Sequence, residues 1–214
     1  MQNRIRTGIL ALPASGLLAT ISVFPPGVFI NPAVDPEGFA QASGTNGLGN
    51  MIGIVSLVLL LVGVQALYSF LVDTSVERWA FAGMITTFVG MGLFLPFAGI
   101  FAFAAPVAGR LYLNGDKAAI SVIAGSVAIS NPYAFLFASA SALLSVTGSI
   151  LFGIAIWKSR RVPRWSGILY STAIFSSFLS APFYSVALGL LGSILLLSSG
   201  GWIAFGVSRK TGSE

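Results

Sequence analysis

The chain contains no histidine and no cysteine among its 214 residues. Those two absences remove imidazole and thiolate metal sites, disulfides, cysteine nucleophiles and every triad built on a histidine base. Histidine ligation of haem or chlorophyll-type pigments goes with them. Charge is scarce too: 8% of residues are Asp, Glu, Lys or Arg, against about 25% in a typical soluble domain. What is abundant is apolar, with 56% hydrophobic residues, 12% aromatics and a mean hydropathy of +0.92. A 22.2 kDa globule leaves much of its surface wet and cannot hide so much apolar material. The composition therefore implies an integral membrane protein. Nucleic acid is not an expected partner, because no soluble module presents a basic face.

A helix crosses the hydrocarbon core in about 20 apolar residues. On that rule the chain reads as one all-α transmembrane domain, 1–214, a polytopic helical bundle of six spans. The spans fall at about 7–30, 51–72, 79–108, 132–157, 166–182 and 184–207. Arg4 and Arg6 ahead of the first span resemble the start of a signal peptide, but no A-x-A site follows and Pro25-Pro26 interrupt its end. Pro96 and Pro106 are expected to bend the third span. The stretch from Ser166 to Val207 is too long for one crossing and is expected to turn near Ala181-Pro182-Phe183. Five spans is the alternative, if the first is peripheral.

Placement of the basic residues favours six. With the N-terminus inside, inner segments hold nine of them: Arg4, Arg6, Arg78, Lys158, Arg160, Arg161, Arg164, Arg209 and Lys210. Outer segments hold two, Arg110 and Lys117. That asymmetry is a positive-inside pattern and puts both termini in the cytoplasm of a cell inner (plasma) membrane. Of the two larger outer segments, Asn31–Asn50 reads as a loop, rich in Gly and bearing Asp35 and Glu37. The other, 111–130, opens with the turn signal Asn114-Gly115-Asp116. Its remainder reads as a short helix lying on the surface or against the bundle, with low charge favouring a protein neighbour.

Intramembrane charge is the usual pointer to function. Here the acidic residues Asp35, Glu37, Asp73, Glu77, Asp116 and Glu214 all fall in loops, at interfaces or at the terminus, so a buried-charge coupling cycle has no seat. No catalytic, cofactor-binding or metal-ligating residue is expected, and serines without a base are not nucleophiles. A polar cavity is the remaining option for a solute path, with Gln65, Thr86, Thr87 and Ser176 as its candidate lining. Ser141, Ser145, Ser149 and Gly153 recur every four residues and predict a small-residue packing seam. The turn Trp157-Lys158-Ser159-Arg160-Arg161-Val162-Pro163-Arg164-Trp165 makes Lys158, Arg160, Arg161 and Arg164 candidates for anionic-lipid contact, or a plain topology anchor. Val76-Glu77-Arg78-Trp79 and Val162-Pro163-Arg164-Trp165 share a pattern, and Ser56/Gly63 are spaced as Ser141/Gly148 are. That spacing suggests a duplicated hairpin in parallel orientation, of the kind transporters use; the preferred reading is Arg-Trp as a marker of the inner interface. Asn31-Pro32-Ala33 and Asn131-Pro132-Tyr133-Ala134 invite comparison with aquaporin turns, but both lie on one side, the second is interrupted, and no Arg follows either.

The run Gly153-Ile154-Ala155-Ile156-Trp157-Lys158-Ser159-Arg160, with Val162-Pro163-Arg164-Trp165 and Gly167-Ile168-Leu169, resembles small six-span bacterial membrane proteins of a domain-of-unknown-function type. Gln65-Ala66-Leu67-Tyr68 and the end of the third span, 101–108, share the resemblance. It implies a six-span helical protein and no catalytic residues. The expected function is a non-enzymatic membrane protein: an accessory subunit of a membrane complex, or a binder of lipid or a lipophilic ligand, without cofactor. Membrane lipid and other membrane subunits are its expected partners. A small-solute transporter or channel is the alternative. A membrane enzyme would have only Asp35, Glu37 and Arg110 to work with.

Overall fold

The computed structural model describes residues 2–25 and 28–211, and everything in those stretches outside turns is helical. The helices are α1 (Gln2–Ile9), α2 (Ala11–Val23), α3 (Pro36–Leu71), α4 (Glu77–Gly99), α5 (Ala105–Leu113), α6 (Ala118–Val127), α7 (Pro132–Ser159), α8 (Arg164–Ser180) and α9 (Val186–Thr211). A π turn, Ile100–Ala104, joins α4 to α5. Five stretches are long and apolar enough to cross a membrane: Arg4–Val23, Pro36–Leu71, Glu77–Leu113, Pro132–Ser159 and Val186–Arg209. The chain is thus an all-α, multi-pass membrane bundle. With 17 residues, α8 is shorter than these five.

The helices α2, α3, α4, α7, α8 and α9 form a closed ring in that order, each packed on the next and α9 back on α2. One contiguous apolar core takes side chains from every member, among them Leu12, Leu67, Met84, Phe152, Ile174 and Ile203. Two backbone breaks have proline causes. Pro13 cannot donate to Ile9, so α1 and α2 are separated at Leu10, which bonds back only three residues, to Thr7. Pro106 cannot donate to Ala102, and the π turn falls directly before it.

Three expectations change. The first span ends at Val23 rather than near residue 30, because Pro25 cannot continue the ladder; Pro26 lies outside the described residues, as does Glu214. The segment expected as a loop at 31–50 is helical from Pro36 onward. Asp35 caps it, its Oδ1 accepting from the Gly38 N–H at 2.8 Å, with Pro36 in the first turn and Glu37 beside it. Its glycines permit close approach rather than a turn. A Cβ on Gly47 would stand 2.5 Å from Pro106 Cγ, and Gly109 meets Ser43 in the same way. Third, the helix after Glu77 runs on past 108 to Leu113.

At about 1.5 Å per residue, the 36 residues of α3 span about 54 Å. A hydrocarbon core is about 30 Å thick. The excess of α3, with α5 and α6, builds a second small core from Phe39, Ala40, Ala105, Ala108, Ile120 and Ile123. We term this projection the crown, and the opposite end, carrying most of the arginines, the basic end. The expected outer helix is α6, and it packs on α5 through Ala119, Ile120 and Ile123.

Candidate functional site

The candidate cavity residues are not gathered around a common space. Gln65 is exposed on the outside of α3. Thr86 donates back into its own helix, to Ala82 O at 2.8 Å. Thr87 is buried in the α4–α7 contact, where a Cβ on Gly148 would meet it. Ser176 is buried on α8. None of the four lines either of the clefts described below.

The small-residue row on α7 serves two neighbours. Ser141 donates to Gly90 O on α4 at 2.7 Å, and Ser145 lies against Gly90. Ser149 and Gly153 face α8 instead: Ser171 donates to Ser149 O at 2.8 Å, and Gly153 lies against Gly167. A four-residue step overshoots the helical turn by about 40°, so the row drifts by about a third of a turn from Ser141 to Gly153, which explains the division. The spacing shared by α3 and α7 has a counterpart in space. Ser56 donates to Ser15 O on α2 at 2.8 Å, with Gly63 against Leu12. Ser141 and Gly148 make the equivalent pair of contacts on α4.

The most chemically distinctive surface lies at the basic end, where α4, α7 and α8 meet. Lys158 Nζ sits 5.1 Å from the centre of the Trp79 ring. Arg164 sits 5.8 Å from that of Trp157. The Trp157 and Trp165 rings pack edge to face at 5.8 Å. The three rings are exposed, so these contacts form a ladder on the surface of the bundle rather than part of its core. Arg161 is set apart from its neighbours. Its Nη1 donates to Phe70 O at 3.0 Å, satisfying a carbonyl in the last turn of α3. Arg160 is exposed and holds the left-handed conformation (φ 52°) that ends α7. Sequence reading grouped all four cations together. Only the fold separates the one that caps a neighbouring helix from those left on the surface. It also adds Trp79, which the repeated Arg-Trp pattern had marked without revealing its partner.

Two clefts flank the ring. One, of about 840 Å³, opens at the basic end beside Tyr68, Ser75, Arg78, Trp79 and Phe81. The other, of about 390 Å³, is apolar and lies at the crown end of α2 and α9, between Phe24, Phe29, Tyr184 and Leu190. Half-burial raises the Tyr184 phenol above its ordinary range. Among the described residues no three His, Cys, Asp or Glu side chains gather so as to hold a metal. Asn31 and Asn131 both sit at crown-end turns and serve as backbone caps, accepting from Ala33 N–H and from Tyr133 and Ala134 N–H.

No family model, curated protein or solved structure matches the chain. The resemblance carried by the central turn therefore gives no family membership. What fold and composition together support is a polytopic membrane protein of several apolar helices, in contact with lipid.

Proposed function

We propose that the chain is a non-enzymatic accessory subunit of a membrane-protein assembly, crossing the plasma membrane six times with both termini cytoplasmic. The crown carries this reading. Counted from Trp79, a helix clears about 30 Å of hydrocarbon in about 20 residues, and at a tilt of about 40° in about 26. Either way α5, which starts at Ala105, lies at or beyond the end of the crossing. Yet α5 and α6 leave large apolar side chains uncovered, including Val107, Leu111, Leu113 and Val122, the last 68% exposed. Apolar surface held outside lipid favours a protein neighbour.

The sixth crossing rests on α8, whose 17 residues reach the lower limit of spanning length. It also rests on the basic asymmetry, since five crossings would strand a basic cluster outside. The filled apolar core of the ring speaks against a solute path. The test is site-specific photo-crosslinking in native membranes from Leu111 and Val122, with Phe88 on the bundle's exposed flank as control. A discrete protein adduct from the crown positions and not from Phe88 is expected. Lipid adducts alone from all three positions would overturn the reading.

A further inference from the structure

We propose that the ladder at the basic end is a binding site for the phosphate of an anionic phospholipid, with Lys158 and Arg164 as the groups that hold it. The inference is independent of the accessory-subunit reading, since it concerns the opposite end of the molecule and a lipid rather than a protein.

Three observations carry it. First, both cations lie against exposed indole rings, Lys158 on Trp79 and Arg164 on Trp157. Indoles favour the boundary between hydrocarbon and headgroups, so a cation on an indole face is held at phosphate depth instead of reaching into bulk water. Second, no ion pair or hydrogen bond within the described chain engages either cation, so their charge is uncompensated by protein. Third, the sequence-adjacent Arg161 is committed elsewhere, to Phe70 O, and the αL turn at Arg160 is what turns it away from its neighbours. Lys158 lies on the Trp79 ring of α4 and Arg164 on the Trp157 ring of α7; Trp157 and Lys158 are chain neighbours, Trp165 packs on Trp157, and both cations are exposed at the same end of the bundle. The cleft next to Trp79 is lined by Glu77 and Arg78, of opposite charge, and by Tyr68 and Phe81, whose rings pack at 5.8 Å and offer an aromatic flank for an acyl chain beside the headgroup. Phosphate diester oxygens suit these donors: Arg supplies a fork of N–H groups, Lys a compact charge.

The experiment uses the full-length protein in vesicles of phosphatidylcholine, into which either brominated phosphatidylglycerol or brominated phosphatidylcholine is mixed. Bromine quenches nearby tryptophan, and the ratio of the two quenching curves gives the relative association of anionic over zwitterionic lipid. Trp202, on the flank of α9, is replaced by Phe so that Trp79, Trp157 and Trp165 report alone. A preference of about 25-fold for the anionic lipid is expected, about five-fold from each cation. Lys158→Gln or Arg164→Gln should each lower it about five-fold, the fold-change equivalent of about 1 kcal/mol per basic residue at an anionic surface. Lys158→Arg should retain it, and Arg161→Lys should leave it unchanged while lowering resistance to unfolding. Inorganic phosphate in the same vesicles separates the sources of the anion. A lipid site keeps its preference at tens of millimolar phosphate, whereas equal displacement would assign the site to a free anion and overturn the proposal. Equal quenching by the two lipids, or a preference that survives in the double Lys158→Gln/Arg164→Gln variant, would overturn it as well. A crown that fails to crosslink would leave these results untouched.

Discussion

Gly90 and Gly92 stand two positions apart in α4, and replacing each with alanine is expected to act with opposite sign. Gly92 is exposed, and a Cβ there would meet nothing within 4 Å. Removing the conformational freedom of glycine at such a site stabilises a helix by about 0.5–1 kcal/mol. The same gain applies at Gly90, where it is opposed. A Cβ there would overlap Ser145 Oγ, lie 2.6 Å from Ser145 N and 3.0 Å from Ser141 O. Two of the obstructing atoms are backbone, so no rotamer change relieves them and the helices α4 and α7 must separate. Overpacking of this kind costs about 1–3 kcal/mol. Separation also weakens the hydrogen bond from Ser141 to Gly90 O, 2.7 Å long, and interhelical bonds in membranes contribute about 0.6 kcal/mol on average. The propensity gain is common to both variants, so their difference isolates packing at about 1.5–3.5 kcal/mol. Reversible unfolding in mixed micelles titrated with dodecyl sulfate, followed by tryptophan fluorescence, measures it. If Gly90→Ala proves as stabilising as Gly92→Ala, the direct backbone contact between α4 and α7 is wrong, and with it the role given to the small residues of α7.

Two further outcomes test the crown and the topology. Asp35→Ala removes the acceptor that caps α3 and should cost about 1 kcal/mol. The loss should be local, with faster amide exchange at Gly38 and Phe39 and unchanged exchange in the membrane half of α3; uniform acceleration would contradict it. The cysteine-free sequence also supplies a clean background for labelling. In intact cells an impermeant maleimide should react with Lys117→Cys and reach Arg160→Cys only after permeabilisation. The reverse pattern would refute the orientation.

The apolar runs were legible because lipid demands them: a chain that must satisfy its backbone within hydrocarbon has few arrangements open to it. The small row on α7 was legible for a related reason, since close helix approach in a membrane selects small side chains. The crown was misread because glycine carries two meanings. In 36–50 the glycines and serines look like loop material, and only the presence of Pro106, Ala102 and Gly109 across the contact makes them a packing face. The start signal Asp35-Pro36-Glu37 was there to be read. Polar residues at similar depth on different helices need not share a face, which is why sequence alone does not say whether Gln65, Thr86, Thr87 and Ser176 meet. Gln65 looks outward from α3, while Thr87 looks across to α7.

By itself the sequence determined that this chain lives in a membrane, and roughly where its helices cross. Its lack of histidine and cysteine removed whole classes of chemistry before any fold was considered. Tertiary structure decided which helices are neighbours, that the ring closes on a filled core, and that α3, α5 and α6 rise together beyond it. It also decided which of four adjacent cations is tied to a carbonyl and which are held on indole rings. The physical reason is one of range. Transfer of a segment into lipid depends on the composition of that segment alone, and each residue contributes wherever its helix lies. Caps, close backbone contacts and cation–ring pairs act over a few ångströms between residues far apart in the chain, as between Phe70 and Arg161, so they exist only once the helices are packed.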